Sequence, residues 1–269
     1  MQLLSLFFLA TVPLSSTLST SPRPTGCTLK IALDAYGNIA SLSPNSTVGR
    51  FTNAKSLDLV HRLRLDSDAV LVGANTVIAD NPSLIVRRGY EKLVTTKQPT
   101  RVILDPNLRT LAIPDAASLA IYQCNDDNGL NTIVYHTKKD DELTARFTRN
   151  RVKFKLLERS TTTSKCISPK TILEDLRINE SINHLMVEGG GVTACQFLSA
   201  GCIDRAIIIR ANGFAFKAPT VPSNINEDIL SRAGLTRINN NASSYNDNVI
   251  EFWSKVEWPT SRIADDFWP

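Results

Sequence analysis

The sequence has few of the residues that build metal sites and disulfide frameworks. Its 269 residues include only three histidines and five cysteines, and no two cysteines have the C-x-x-C spacing. The odd number of cysteines and the missing spacing argue against both a zinc site and a disulfide framework. We therefore expect no bound metal, and cysteines that are reduced and mostly buried, as in a reducing compartment.

Long hydrophobic runs and a strong excess of one charge are also missing. The apolar run from Leu3 to Leu14 is too short to span a membrane and is interrupted by Pro13. Thirty lysines and arginines against 26 acidic residues give a net charge of +4, and the basic residues are scattered. Scattered basic residues are typical of a solvated surface, so we expect neither a nucleic-acid partner nor a membrane partner.

The N-terminal residues differ from the rest of the chain. The apolar run is followed by a Ser/Thr-rich stretch, and the first acidic residue is Asp34. This composition is typical of a targeting segment. We predict a targeting or disordered segment at 1–26, one folded domain at 27–258 and a short tail at 259–269. Together with the reduced thiols, the composition favours a plastid or another organelle, and the cytoplasm is the alternative.

Apolar runs of strand length alternate with amphipathic helices in the predicted domain. This alternation indicates an α/β fold in which helices flank a central, mostly parallel sheet. Strands are expected at 28–33, 68–73, 101–104, 119–123, 132–135, 152–157 and 203–210, and another begins at 181 and runs into three glycines. Helices are expected from a cap at Thr52 or Asn53 to about Asp66, and at 141–148, 169–178 and 192–199. A C-terminal antiparallel hairpin should pair 236–239 with 249–256.

The stretch from 50 to 88 holds many of the candidate functional residues. It is predicted to form a helix, a buried strand, a polar turn and a second short strand. Thr76 and Asp80 follow the buried strand, where α/β sheets present ligand-binding groups. Arg64, Arg87 and Arg88 cluster around it, and arginine forks bind phosphates well. Each arginine taken alone is more often a surface charge.

Two further features could bind a ligand. Glu188 ends a predicted strand and is followed by Gly189–Gly191 and a helix, which places a carboxylate beside bare backbone amides. The glycines could instead form only a tight turn, and their spacing is not the dinucleotide-binding fingerprint. Lys30 is a charge inside an apolar strand, so it either points to solvent or lines a cleft.

Several segments carry a family resemblance. They are TLKIA (28–32), HRLRLDSDAVLVGANTVIADNPSLIVR (61–87), QPTRVILD (98–105), LMVEGGG (185–191) and FLSAGCIDRAII (197–208). Together they resemble the pyrimidine reductases of riboflavin biosynthesis, whose fold is similar to that of dihydrofolate reductase. The resemblance covers the chain from Leu29 to about Arg210.

The resemblance implies an oxidoreductase that uses NADPH to reduce the ribosyl group of a ribosylaminopyrimidine 5′-phosphate to ribityl. It also implies a homodimer. Lys30 and Glu188 match catalytic positions, and Arg64, Leu84, Arg87 and Glu188 match substrate contacts. The positions that match NADPH contacts are Ala32, Thr52, Thr76, Asp80, Gly189, Gly190, Gly191, Val192 and Thr193. The deaminase zinc motif found in fused family members does not occur, so we expect a stand-alone reductase.

The chain departs from the family pattern in two places. The S-x-D-G turn that usually follows the first strand is replaced by Asp34-Ala35-Tyr36-Gly37, and Val48 and Arg50 stand where a serine and a tryptophan are usual. Two alternatives therefore stay open. The chain could be a paralogue of the same fold that reduces a pterin-like substrate, or a catalytically weakened binding subunit. Whether the substrate pyrimidine is already deaminated also stays open.

Overall fold

A computed structural model describes residues 26–42, 51–88, 98–123, 130–147, 152–158, 167–238, 243–245 and 247–255. The strands are β1 Gly26–Asp34, β2 Asn38–Ser41, β3 Ala69–Gly73, β4 Thr100–Leu104, β5 Thr132–His136, β6 Val152–Leu156, β7 His184–Val187, β8 Arg205–Ala211, β9 Thr220–Pro222, β10 Thr236–Arg237, β11 Ser243–Tyr245 and β12 Asn248–Ser254. The helices are α1 Ala54–Asp66, α2 Ala74–Asp80, α3 Arg109–Ala112, α4 Asp141–Ala145, α5 Pro169–Glu180, α6 Gly191–Ser199 and α7 Glu227–Arg232.

One large sheet dominates the described residues. Its strand order is β10-β12-β8-β1-β7-β3-β4-β5-β6, and β11 pairs with β12. Every neighbouring pair from β8 to β6 is parallel, whereas β12 runs antiparallel to β8 and β10 antiparallel to β12. The expected mostly parallel sheet and C-terminal antiparallel strands are both confirmed.

An apolar layer lies on each side of this sheet. Side chains of α5, α6 and α7 fill one layer, among them Ile172, Leu176, Ala194, Phe197 and Leu230. Side chains of α1 and α2 contribute to the other, among them Leu59, Val60, Leu63 and Val77. β3 (AVLVG) is buried along its whole length because both of its faces are covered in this way.

The order of the chain places a cleft at the carboxyl ends of the central strands. After β1 the chain passes to α1 on one side of the sheet, and after β7 it passes to α6 on the other side. Parallel sheets bind ligands in the crevice where the chain leaves neighbouring strands toward opposite sides. The cleft beyond β1, β7 and β3 is therefore where a ligand site is expected.

Helix α1 begins and ends where the sequence predicts. The side chain of Asn53 caps it by accepting a hydrogen bond from the backbone N–H of Ser56, and the helix ends at Asp66. Its apolar residues recur at helical spacing and pack on the sheet. This packing fixes the direction in which His61 and Arg64 project.

Two predicted strands are wrong. Residues 119–123 form part of two short 3₁₀ turns, Ala116–Ser118 and Ala120–Tyr122, closed by local bonds such as Tyr122 N–H to Leu119 O. The buried Ile121 and Tyr122 made this apolar run look like a strand. The polar turn after β3 is helix α2, and the chain that follows it at 82–86 forms no strand.

Other predictions differ only at their ends or cannot be compared. The helix expected at 141–148 is the shorter α4, and the strand expected from 181 begins at His184. Cys27 and Cys202 are buried free thiols and Cys195 is half-buried. The predicted targeting segment, apart from Gly26, and the tail lie outside the described residues. None of the described helices is long and apolar enough to cross a membrane.

Candidate active site

The centre of the cleft holds Lys30 and Glu188 side by side. In the parallel pairing of β1 with β7, Leu29 lies opposite Val187. The residues that follow these two are Lys30 in β1 and Glu188 directly after β7. β7 ends there, but β1 continues to Asp34 beside β8. The two charged side chains therefore lie at the step where one strand stops and its neighbour runs on.

Three charged side chains meet at this step. Arg64 of α1 holds Glu188 by two bonds, since its Nε donates to Oε2 at 2.8 Å and its Nη2 to Oε1 at 2.9 Å. The Lys30 ammonium lies 3.8 Å from Glu188 Oε1. The exposed fractions of the three side chains are only 10% for Arg64, 13% for Lys30 and 15% for Glu188. Arg64 therefore fixes the Glu188 carboxylate by two short bonds, and Lys30 contacts the same carboxylate at a longer distance.

The electrostatics of the cluster separate the two titrating groups. Burial lowers the pKa of Lys30, and the charge of Arg64 lowers it as well. The charge of Glu188 raises it, but the net pKa stays below the ordinary lysine value. Burial raises the pKa of Glu188, but the charges of Arg64 and Lys30 outweigh it, so the pKa falls below the ordinary glutamate value. Glu188 is therefore held as a carboxylate that accepts hydrogen bonds, and burial makes the Lys30 ammonium a stronger acid than an ordinary lysine.

A segment without helix or strand lies along α1 beside this cluster. We call residues 84–88 the strap. The backbone carbonyl of Ile85 accepts a bond from Arg64 Nη1 at 3.1 Å, and the backbone N–H of Arg87 donates to His61 Nδ1 at 3.1 Å. Leu84, at the start of the strap, is buried and has a positive φ of 53°. The side chain of Arg87 is exposed at the surface of the strap.

The glycine turn after Glu188 packs closely against β3 and α2. A Cβ added at Gly73 would lie 2.5 Å from Thr193 Oγ1, and one added at Gly191 would lie 2.5 Å from the backbone oxygen of Ser223. Gly190 donates its backbone N–H to Thr76 Oγ1 at 3.2 Å. Gly73 and Gly191 are therefore required by close contacts, with the Thr193 side chain and the Ser223 backbone respectively. The glycines after Glu188 thus do more than form a tight turn.

Helix α6 begins at this turn without a side-chain cap. Gly190 is its N-cap residue and has no side chain to bond the first amides of the helix. Val192 in the first turn is 70% exposed. Bare amides at the positive end of a helix, beside an exposed apolar side chain, suit a phosphate joined to a less polar group.

Three other predicted residues lie on elements that border the charged cluster or the glycine turn. Ala32 lies two residues beyond Lys30 on the α1 side of β1. Thr193 is only 6% exposed because it packs against Gly73 and Gly189. Asp80 is exposed at the last residue of α2.

Thr52 lies apart from the charged cluster. It lines a cavity of about 240 Å³ before α1, together with Phe51, Phe214 and Asn248. The cavity floor includes Ala211, which pairs with Asp34, four residues farther along β1 than Lys30. Any ligand that contacts both Thr52 and Glu188 must therefore span the upper half of β1.

Asp34 has a structural role that its position in the altered turn did not reveal. It is fully buried and accepts bonds from the backbone N–H groups of Tyr36, Asn38 and Phe216 at 2.8–3.0 Å. Burial alone would raise the pKa of Asp34, but these hydrogen bonds lower it by more, so the net pKa is below the ordinary value. The carboxylate closes the turn after β1 without the usual S-x-D-G residues. Val48 and Arg50, the other departures, lie outside the described residues.

His61 and the carbonyl of Ile85 were missed as parts of the site. His61 is 1% exposed on α1 and lies close enough to Glu188 to help lower the pKa of that carboxyl. The sequence did carry a signal, because Asp58, His61 and Arg64 are spaced three apart along one helix. Without the fold, nothing indicated that their shared neighbour was the strap.

Comparison with known proteins gives the same assignment. The model of the RibD C-terminal domain family matches residues 27–214. The chain belongs to the RibD C-terminal domain family. This span includes Lys30, Arg64, Arg87 and Glu188, so the resemblance drawn from the sequence motifs is confirmed.

Named relatives of this family come from bacteria and eukaryotes. The riboflavin biosynthesis protein RibD of Aquifex aeolicus is 36% identical over 195 residues, which cover 72% of this chain and 48% of the relative. The 2,5-diamino-6-ribosylamino-4(3H)-pyrimidinone 5′-phosphate reductase of Candida glabrata is 28% identical over 163 residues, 59% of this chain and 63% of the relative. The chain thus spans about half the length of the first relative and less than two thirds of the second.

A plant relative and a solved structure extend the comparison. The chloroplastic riboflavin biosynthesis protein PYRR of Arabidopsis thaliana is 27% identical over 197 residues, 72% of this chain and 27% of the relative. A structure of Acinetobacter baumannii RibD superposes with a TM-score of 0.66 at 21% identity and covers 87% of this chain and 59% of that one. The structural likeness confirms the fold.

Proposed function

We propose that this chain is an NADPH-dependent reductase that converts the ribosyl group of a ribosylaminopyrimidine 5′-phosphate to ribityl. The observation that carries the proposal is the buried cluster of Lys30, Arg64 and Glu188 beside the open N-terminus of α6. A protonated amine, a fixed carboxylate and an anion-binding helix end are the groups that such a reduction needs in one cleft.

The residues around the glycine turn fit a dinucleotide. The first amides of α6 have no side-chain cap, so they can receive a pyrophosphate, and Gly190 leaves the backbone bare for its approach. The backbone N–H of Gly190 is held by its hydrogen bond to the hydroxyl oxygen of Thr76. Asp80, Val192 and Ala32 are further proposed contacts. When bound, NADPH supplies the hydride.

Lys30 is the proposed proton donor. The reduction adds a hydride to C1′ of the sugar and a proton to the ring oxygen, whose bond to C1′ breaks, while the nitrogen stays bonded to C1′. Burial lowers the pKa of Lys30, which makes it easier for its ammonium group to release a proton to that oxygen. Glu188 is ionised, so its role is to hold Lys30 and to accept hydrogen bonds from the substrate.

The arginines and Leu84 are the proposed walls of the substrate site. Arg87 is exposed on the strap and is the proposed ligand of the 5′-phosphate. Arg64 uses three N–H groups on Glu188 and Ile85, which leaves one on each terminal nitrogen for the substrate. Leu84 is the buried first residue of the strap.

The direct test is an assay with two substrates. The purified chain is mixed with NADPH and either the 2,5-diaminopyrimidinone or the deaminated uracil form of the ribosylamino 5′-phosphate, and the loss of NADPH absorbance is followed. Turnover of one form and not the other identifies the substrate. Binding of NADPH without turnover of either form would favour a paralogue with another substrate, and no binding of NADPH would favour a binding subunit.

Assembly and location are proposals of the same kind. A homodimer is proposed from the family resemblance, and light scattering of the purified chain at several concentrations tests it. A plastid or another organelle is proposed because the N-terminal composition resembles a targeting segment and one relative is named chloroplastic. Import of the full chain into isolated chloroplasts, with shortening of its N-terminus, would support that location, and a protein that stays outside would favour the cytoplasm.

A further inference from the structure

Three side chains of α1 contact three successive parts of the strap. Arg64 donates to the carbonyl of Ile85, His61 accepts from the backbone N–H of Arg87, and Asp58 pairs with the Arg88 side chain at 2.8 Å. Residues three apart on a helix lie on neighbouring turns of the same side. The strap therefore runs antiparallel to α1 and is fastened to it once per turn. We call these three contacts the ladder.

The other edge of the strap is fixed independently. The side chain of Gln98 accepts from the N–H of Val86 at 2.8 Å and donates to its carbonyl at 3.2 Å. Leu84 and Val86 are 2% and 1% exposed, and Leu84 packs in the apolar layer with α1 and α2. With both edges of its backbone occupied, the strap holds one conformation and presents the Arg87 side chain outward.

The contacts of the ladder differ in weight because they differ in burial. The pair of Asp58 with Arg88 is exposed by 45% and 43%, and such surface pairs contribute little to stability. His61 is 1% exposed, so its acceptor nitrogen and the N–H of Arg87 would both lose a partner inside the protein if the bond were removed. His61 is therefore the contact on which the position of Arg87 depends most.

Arg64 also has a second partner, Glu188, in the charged cluster. Two of its N–H groups hold Glu188 while a third holds Ile85. A guanidinium is planar and rigid, so a shift of the strap at Ile85 moves the fork that orients Glu188. The strap and the carboxylate are thus connected through one side chain.

We propose that the ladder positions the phosphate-binding strap, with His61 as a positioning residue for Arg87, and that Arg64 links the strap to Glu188. This inference rests on the proposed function for the identity of the ligand. Its consequence is that binding of the 5′-phosphate at Arg87 also fixes Glu188, so that binding energy from the phosphate is used at the reacting carbon.

Two variants of His61 isolate the hydrogen bond from the packing. His61→Leu keeps the approximate volume and removes the acceptor, whereas His61→Asn restores an acceptor near the position of Nδ1. Hydrogen exchange of the free protein is measured at the strap. We expect faster exchange of the Arg87 amide in His61→Leu and protection close to wild type in His61→Asn. Unchanged exchange in His61→Leu would contradict the ladder without reference to any ligand.

The functional half of the proposal is tested with a pair of substrates. Binding is measured by calorimetry for the ribosylaminopyrimidine with and without its 5′-phosphate, in the presence of NADP⁺. His61→Leu should weaken binding of the phosphorylated form by about 3- to 10-fold and leave the other form unchanged, and His61→Asn should restore it. Equal weakening of both forms would show that His61 has only a structural role.

Arg88→Ala keeps the proposal testable if His61→Leu does not fold. This exposed contact can be removed without opening the core, and we expect faster exchange at the strap's end with less than a twofold loss of substrate affinity. No change in exchange at the strap would contradict the ladder. If wild-type protein binds neither substrate, the proposed function fails, whereas the exchange results still decide whether the ladder exists.

Discussion

At the residue scale, Lys30 and Glu188 take different roles although the pKa of each is lowered. A lowered pKa keeps Glu188 ionised, whereas it makes Lys30 a stronger acid. Arg64 donates two charge-assisted hydrogen bonds to Glu188, and this keeps the carboxylate ionised despite its burial. Lys30 has only the same carboxylate at 3.8 Å to offset its own burial. The lysine is therefore the group that can give up a proton.

Replacing Lys30 tests this division of roles. Lys30→Met removes the proton donor and keeps the stem of the side chain, so we expect turnover to fall at least about 100-fold with NADPH affinity nearly unchanged. Lys155→Met is the matched control, because Lys155 is also a strand lysine with a carboxylate partner, Glu180 at 3.0 Å. The control should keep its turnover. Equal losses in steady-state rate for both variants would remove Lys30 from the mechanism.

The pH dependence of kcat/KM follows from the same two groups. Activity requires protonated Lys30, whose pKa is lowered, so the rate should fall with rising pH at a pH below the ordinary lysine value. It also requires ionised Glu188, whose pKa is lowered, so the acid fall should lie below the ordinary glutamate value. A pH series with NADPH and substrate measures both. An alkaline fall at the ordinary lysine value would contradict the assigned burial of Lys30.

The sequence indicated the members of this cluster better than their contacts. A lysine in an apolar strand and a glutamate before three glycines were unusual enough to be singled out. The partner of Glu188 was not predictable, because Arg64 was expected at the substrate phosphate and its bond depends on how α1 crosses the sheet. The spacing of His61 and Arg64 was the one signal for His61, and it did not reveal the role, since a buried histidine on a helix is most often part of the core.

At the element scale, the join of β3, α2 and α6 is decided by glycines. A Cβ at Gly191 would lie 2.5 Å from the backbone oxygen of Ser223, which cannot rotate away, whereas one at Gly190 would be 3.5 Å from its nearest neighbour, Thr76 Oγ1. The two adjacent glycines therefore serve different needs. Gly191 permits close packing, and Gly190 leaves the end of α6 open.

Alanine at each glycine gives a matched pair of variants. Gly191→Ala should lower the free energy of unfolding by about 1–3 kcal/mol because the backbone at Ser223 must move. Gly190→Ala should cost at most about 1 kcal/mol, since its new methyl group makes only ordinary contacts. Urea unfolding of the two variants measures the difference. A stability loss of the same size at both positions would contradict the close approach at Gly191.

Elements with a clear period were predictable, and those without one were not. The helical spacing of apolar residues and the cap at Asn53 gave α1 correctly, and the continuous apolar run of β3 gave a buried strand. The run at 119–123 has the same apolar content but is buried by 3₁₀ turns, so composition alone could not separate the two. The strap belongs to no strand of the described sheets, and side chains of α1 and Gln98 take its backbone hydrogen bonds.

At the scale of the whole molecule, the site exists because β7 lies between β1 and β3. These strands come from distant parts of the chain, and their pairing brings Glu188 beside Lys30 and the glycine turn beside Thr76. Alternating strands and helices indicated a mostly parallel sheet but not the order of its strands. That order depends on long-range pairing, which local pattern does not show.

Binding of the cofactor should stabilise the whole domain. A ligand that binds only the folded protein raises the free energy of unfolding by about 2.7 kcal/mol at about one hundred times its dissociation constant. We expect this gain with NADPH, measured by thermal or urea unfolding, and a clearly smaller one with adenosine alone. A midpoint that does not move with NADPH concentration would contradict the assignment of the α6 end as its site.

The most direct test of the central claim follows the hydride itself. The chain is incubated with the phosphorylated ribosylaminopyrimidine and NADPH that carries deuterium at the transferred position of its nicotinamide, and the product is analysed by mass spectrometry and NMR. The account predicts a ribityl product with one deuterium at C1′. A product without deuterium at C1′, or no reduced product under conditions where both ligands bind, would contradict it.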